Sequence, residues 1–178
     1  GGGMDSRGGA LLVSGGTGSV LRVGVGEREG DALGYSVTGC GDIDRDGAPD
    51  FAAGNTDLLT PRGVVRVFSG TTAGPLYTWT GRPPEAGNAF GRALAGGYDI
   101  DRDGIPDVVV GAPGERETPG NYNIYGAAYV FSGRDGTVIR REGPSELLGN
   151  DVAAAKPQPG SPFALFFLTE PYYAIGGT

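Results

Sequence analysis

Apolar and polar residues alternate in short runs along this chain, and glycine-rich turns separate the runs. Val64–Phe68 and Ala127–Phe131 alternate with a period of two, as half-buried strands do. Tyr35–Cys40 and Arg92–Gly97 read as short strands leading into an aspartate-rich turn, and Phe51–Ala53 and Val108–Val110 as strands leaving it. Leu76–Trp79 and Thr137–Arg140 follow further glycine-containing turns and read as fourth strands. No stretch carries a sustained 3.6-residue apolar period with capping residues, so the chain is predicted to be all-β.

The strands recur as a unit. Residues 31–54 align without a gap on residues 88–111 at an offset of 57, with 12 of 24 positions identical. Val67-Phe68-Ser69-Gly70 returns as Val130-Phe131-Ser132-Gly133, and Val13-Ser14-Gly15 is a weaker earlier copy. A period near 60 with four short antiparallel strands per unit predicts β-propeller blades. The expected organisation over residues 1–152 is a partial blade at 1–30 and full blades at 31–87 and 88–147. Residues 153–178, where the pattern breaks into Ala153-Ala154-Ala155-Lys156-Pro157, read as a diverged or non-native tail. A propeller needs at least four blades. The chain is therefore expected to be a partial propeller that joins further blades or self-associates through its open edges.

Composition sharpens this picture. The 36 glycines and 13 prolines make up about 28 % of 178 residues, a level that signals disorder only when no period accompanies it. The net charge of −7 argues against nucleic acid as a partner. Each of the segments 42–50 and 99–107 carries four aspartates against one arginine, so nearly all of the acidity lies in two loops. There is no histidine, and Cys40 is the only cysteine, which removes the usual general base, an intrachain disulfide and a thiolate metal cluster. Cys40 reads as a buried, inert thiol. The longest apolar run, Phe163–Leu168, is too short to span a bilayer, and Gly1–Asp5 shows no signal-peptide pattern.

Both loops read Asp-Ile-Asp-Arg-Asp-Gly-x-Pro-Asp. Asp42, Asp44, Asp46 and Asp50 occupy positions 1, 3, 5 and 9 of the first, and Asp99, Asp101, Asp103 and Asp107 those of the second. Gly47 and Gly104 permit the sharp turn, and the backbone carbonyls of Ala48 and Ile105 offer a further ligand. Hard oxygen donors at this density suit one Ca²⁺ per loop, and without a cation the carboxylates repel one another. An EF-hand begins in the same way but needs a glutamate at position 12; here that position is Ala53 or Val110, in strand-like runs.

Phe90-Gly91, the loop Asp99–Asp107 and Val110-Gly111-Ala112-Pro113 together resemble an FG-GAP repeat, the unit of the integrin α-subunit N-terminal propeller. Leu33-Gly34 with Gly54-Asn55-Thr56 is a weaker copy, and Leu148-Gly149 marks a third that lacks the aspartate loop. The resemblance implies a seven-bladed propeller with calcium in hairpin loops on one face. It also implies a secreted or surface protein that binds a protein or glycan ligand in adhesion, without enzymatic activity. The alternatives are an accessory propeller beside a secreted hydrolase and an architectural spacer. Gly24–Gly30 has the wrong glycine spacing for a dinucleotide fingerprint, and Gly15–Gly18 lacks the lysine of a phosphate loop. Trp79, Tyr77, Tyr122 and Tyr125 read as blade packing or an aromatic binding surface, and Glu115–Tyr125 as the longest blade connection.

Overall fold

The computed structural model describes residues 7–55, 63–82, 88–116, 126–145, 148–155 and 165–168. These contain twelve strands and no helix. Their order is β1 (Gly9–Val13), β2 (Val20–Val25), β3 (Ser36–Gly41), β4 (Asp50–Asn55), β5 (Val64–Phe68), β6 (Pro75–Thr80), β7 (Leu94–Tyr98), β8 (Asp107–Ala112), β9 (Gly126–Phe131), β10 (Val138–Ser145), β11 (Val152–Ala155) and β12 (Leu165–Leu168).

Strands β3–β4–β5–β6 form one antiparallel meander and β7–β8–β9–β10 a second; these are two propeller blades. β1–β2 and β11–β12 are separate hairpins. Every predicted strand of the two units is present, with bounds moved by a few residues. Residues 152–155 and 165–168, where sequence pattern alone offered no strand, pair with Val152 opposite Leu168 and Ala155 opposite Leu165. Tyr122, Tyr125 and most of the Glu115–Tyr125 connection lie outside the described residues.

The blades stack face to face. The middle strands β4, β8 and β9 are buried along their whole length, as expected for strands covered on both faces. The largest core joins Val65, Val67 and Trp79 of one blade to Val108, Val110 and Phe131 of the next. Trp79 stacks on Phe131 with ring centroids 4.3 Å apart. Its indole Nε1 donates to the Gly136 carbonyl at 2.9 Å, so the one tryptophan is satisfied as well as buried.

Polar contacts between blades repeat at the sequence period. Tyr77 Oη donates to the Gly133 carbonyl, and Ser36 Oγ to the Gly91 carbonyl. Tyr35, Arg92 and Asn150 hold the same place in three successive units. Arg92 donates to Tyr35 Oη at 3.0 Å and to Asn150 Oδ1 at 3.1 Å, which ties β11 into the array. β11 also adds Val152 to a core with Ala93, Ala95, Val109 and Val130.

Buried ion pairs sit inside the stack. Arg66, 5 % exposed, pairs with Asp31 at 3.3 Å and Glu27 at 3.2 Å. At the equivalent place in the second blade, Tyr129 donates to Glu115, which also accepts from Arg141 Nη2 at 2.7 Å. Removing one partner of such a group strands the other without water.

Since Trp79 fills the seam between blades, Trp79→Ala is expected to destabilise the fold by about 3–5 kcal/mol in urea unfolding. Leu21→Ala, at a half-exposed position, should change stability by no more than about 0.5 kcal/mol.

Candidate metal centres

Each aspartate loop hangs between the first two strands of a blade. The ladder slips by one residue just before it, between Gly39 and Gly41 in the first blade and between Gly96 and Tyr98 in the second. Such a bulge bends the strand and re-aims the chain into the loop. Gly41 and Gly97 take left-handed φ values of 76° and 90°, a conformation glycine adopts without strain. Inside the loops, Arg45 and Arg102 at position 4 and Gly47 and Gly104 at position 6 are also left-handed. The two loops thus share one backbone path.

That path brings positions 1, 3 and 9 together. Carboxylate oxygens of Asp42, Asp44 and Asp50 lie within 4.8 Å of one another, and so do those of Asp99, Asp101 and Asp107. The ninth-position aspartate is the buried one. Asp50 accepts from the Ile43 amide at 2.7 Å and the Gly70 amide at 2.9 Å; Asp107 accepts from Ile100 at 2.6 Å and Gly133 at 3.1 Å. The first-position aspartate caps the turn: Asp42 accepts from Asp46 and Gly47, each at 3.0 Å, and Asp99 from Arg102, Asp103 and Gly104.

The position-5 carboxylates stand outside these triads. Asp46 accepts from the Ser69 hydroxyl at 3.1 Å and from Thr71, while Asp103 accepts from the Arg134 guanidinium. Ala48 and Ile105 donate their amides back to the side chains of Asp46 and Asp103 at 2.9 and 2.8 Å.

Ser69, Gly70, Thr71 and Arg134 were not singled out from sequence as parts of these loops. The signal was present, because the Val-Phe-Ser-Gly motif recurs with the aspartate loop in both units. Its glycine carries two constraints. A Cβ on Gly70 would fall 2.4 Å from the Pro49 carbonyl oxygen, and one on Gly133 1.9 Å from that of Pro106. Only glycine lets this turn approach closely enough for its amide to reach the ninth-position aspartate.

Electrostatics separates the triads from their flanks. Burial pushes the Asp107 carboxyl up to about 6, and the charge of Asp101 adds to it. Burial raises Asp50 as well, with Asp44 contributing, and raises Asp101 together with Asp103 and Asp99. Asp46 is lowered by its Thr71 and amide hydrogen bonds. For Asp103 the desolvation is outweighed by Arg134, and the net shift is downward. The donor set is all oxygen, acceptor-rich and partly desolvated, with no nitrogen or sulfur ligand. It fits a hard divalent cation, which would relieve the like-charge crowding. Cys40, beside the first loop, is fully buried, and burial followed by the Asp50 charge pushes its thiol up to about 12. The thiol is buried, as expected.

Residues 90–131 match the FG-GAP repeat family. The chain is 36 % identical to integrin alpha-2 of Mus musculus over 138 residues, covering 70 % of this chain and 11 % of that relative. It is 34 % identical to integrin alpha-E of Mus musculus over 130 residues, 69 % of this chain and 11 % of the relative. Over 90 residues it is 39 % identical to integrin alpha-IIb of Homo sapiens, 48 % of this chain and 9 % of the relative. The chain thus spans about a tenth of the length of the curated relatives it matches. Among the described residues no helix is long and apolar enough to cross a membrane.

A carboxyl held at about 6 against an ordinary 3.8 binds protons in the folded state that the unfolded chain has already released. In cation-free buffer, stability is therefore expected to fall as pH rises from about 4 through 6. Asp107→Asn should flatten that part of the curve of melting temperature against pH.

Proposed function

This chain is an integrin-α-like FG-GAP repeat protein, and from that premise we propose that it is a calcium-binding propeller module working outside the cell or at its surface, where it binds a protein or glycan ligand in adhesion. The observation that carries the reading is the pair of carboxylate triads at the same place in two consecutive blades. One acidic turn is common on a protein surface. Two turns with the same backbone path, the same buried ninth-position aspartate and the same glycine amide behind it form a repeated device.

In this reading Asp42, Asp44 and Asp50 hold one ion, and Asp99, Asp101 and Asp107 the other. Asp46, Asp103 and the carbonyls of Ala48 and Ile105 complete the two oxygen shells. Calcium supplies positive charge and coordination geometry; it has no redox role. The loop carboxylates act as ligands, so the reading assigns this chain no catalysis. Each ion closes the connection between the first and second strands of a blade and stabilises a fold whose strands are rich in glycine and alanine. A domain of this kind presents its connections to a ligand from a rigid scaffold.

The ions bind the folded state, so they raise its stability by mass action. At a free calcium concentration a hundred times the dissociation constant, each site is expected to add about 2.7 kcal/mol. Chelator should then lower the melting temperature by about 10 °C or more in differential scanning calorimetry. Asp42→Ala and Asp99→Ala should each remove part of that shift. A melting temperature indifferent to chelator would overturn the reading.

A further inference from the structure

The seam between the β1–β2 hairpin and the first blade repeats the seam between the two blades, but without its aromatic rings. β1 pairs with β2 as β5 pairs with β6, and both ladders slip at the same point, between Leu12 and Val13 and between Val67 and Phe68. Leu12 faces Arg22 and Ala10 faces Gly24, where Val67 faces Tyr77 and Val65 faces Trp79. Arg22 therefore holds the place of Tyr77, and Gly24 that of Trp79. Between the blades those two rings close over the turn that follows Phe131. Trp79 stacks on Phe131 and donates to the Gly136 carbonyl, and Tyr77 donates to the Gly133 and Arg134 carbonyls. In the first seam Gly24 lies against the Phe68 ring, where an added Cβ would fall 2.7 Å from Cε2. The β2 sequence Val-Leu-Arg-Val-Gly-Val supplies no ring for the turn that follows Phe68.

A cavity of about 530 Å³ opens there, a size that suits a small molecule. Phe51 and Phe68, stacked with centroids 5.3 Å apart, line its apolar side, and residues 72–75 line the turn side. Arg22 and Arg66 line it too. The Nε of each is buried and has no hydrogen-bond partner among the described residues. Arg66 is 5 % exposed, and its two terminal nitrogens are committed to Glu27 and Asp31. Among the described residues no carboxylate pairs with Arg22. A buried N–H without an acceptor is costly, so two of them beside one cavity favour an oxygen acceptor inside it.

We propose that this cavity binds a small aromatic carboxylate. The ring takes the space that Tyr77 and Trp79 fill in the next seam, beside Phe51 and Phe68, and the carboxylate accepts from the Nε of Arg22 and of Arg66. Charge selects the class. Arg66 is already balanced by Asp31 and Glu27, whereas Arg22 brings a positive charge with no acid beside it. A neutral ring would leave that charge unmatched, and a carboxylate without a ring would leave the apolar side wet. Hydrogen bonds between a guanidinium and a carboxylate are the stronger kind, and the partly enclosed site strengthens them further. None of the loop aspartates lines the cavity, so the proposal holds whether or not the loops bind calcium.

Indole-3-acetate, a tryptophan-like ring carried on a carboxylate, is the probe, titrated into the isotope-labelled chain and followed by nuclear magnetic resonance. Saturable binding at one site is expected, with a Kd of about 1 mM or tighter. The Nε–H signals of Arg22 and Arg66 should both move. Arg22→Gln changes a half-buried side chain, so it should keep the far-ultraviolet circular dichroism and weaken binding about tenfold or more. Arg22→Tyr puts into this seam the ring that Tyr77 puts into the next, and should abolish binding. Sodium acetate at the same concentration should leave both Nε–H signals in place. A folded chain that shows no saturation up to about 10 mM probe would overturn the proposal. So would equal binding by Arg22→Gln, or acetate shifts that match those of the probe, which would mark an adventitious ion only.

Discussion

Mutual repulsion among carboxylates is the constraint around which each blade of this protein is arranged. Three aspartates share a space 4.8 Å across, one of them buried, and this happens twice. Backbone amides meet part of the demand: Ile43 and Gly70 serve Asp50, and Ile100 and Gly133 serve Asp107. Amides orient the oxygens but do not neutralise them, which is why burial still drives Asp107 to about 6. A divalent cation would remove the charge as well as the crowding. Much of the local sequence then has a reason: the bulge that enters the loop, the glycine at position 6, and the Ser-Gly turn that presses its amide against the ninth aspartate.

The same Ser-Gly turn connects the aspartate loop to the fold. Gly133 lies against the second loop and also accepts the Tyr77 hydroxyl from the neighbouring blade, while Gly136 three residues on accepts the Trp79 indole. Loop, turn and blade seam are therefore contiguous, and ordering one restrains the others. Chains of glycine, alanine and valine bury little apolar area per residue. Blades of this composition depend on aromatic seams such as Trp79 on Phe131, and on the polar contacts that recur every 57 or so residues.

Most of this was legible in the sequence, because period-2 alternation, glycine turns and a gapless repeat all point the same way. Val64–Phe68 is bounded as the alternation says, and the other strands of both units differ by a few residues at their ends. The hairpin of β11 and β12 was illegible because its residues carry neither alternation nor the aspartate loop that marks this connection elsewhere; it shows itself only in the ladder between the two strands and in the packing of β11 on β7 and β8. The position-5 aspartates could not be told from the other loop aspartates by spacing. Their engagement with Ser69, Thr71 and Arg134 comes from strands and turns more than twenty residues away. Glu115 read as the start of a surface connection, yet it is 2 % exposed, since Tyr129 and Arg141 enclose it across the blade.

The central claim is that these oxygens are arranged around calcium, and counting ions tests it most directly. Equilibrium dialysis against radioactive calcium is expected to give two bound ions per chain, one after Asp107→Asn and one after Asp50→Asn. A chain that binds none, or one whose count is untouched by both substitutions, would contradict the account.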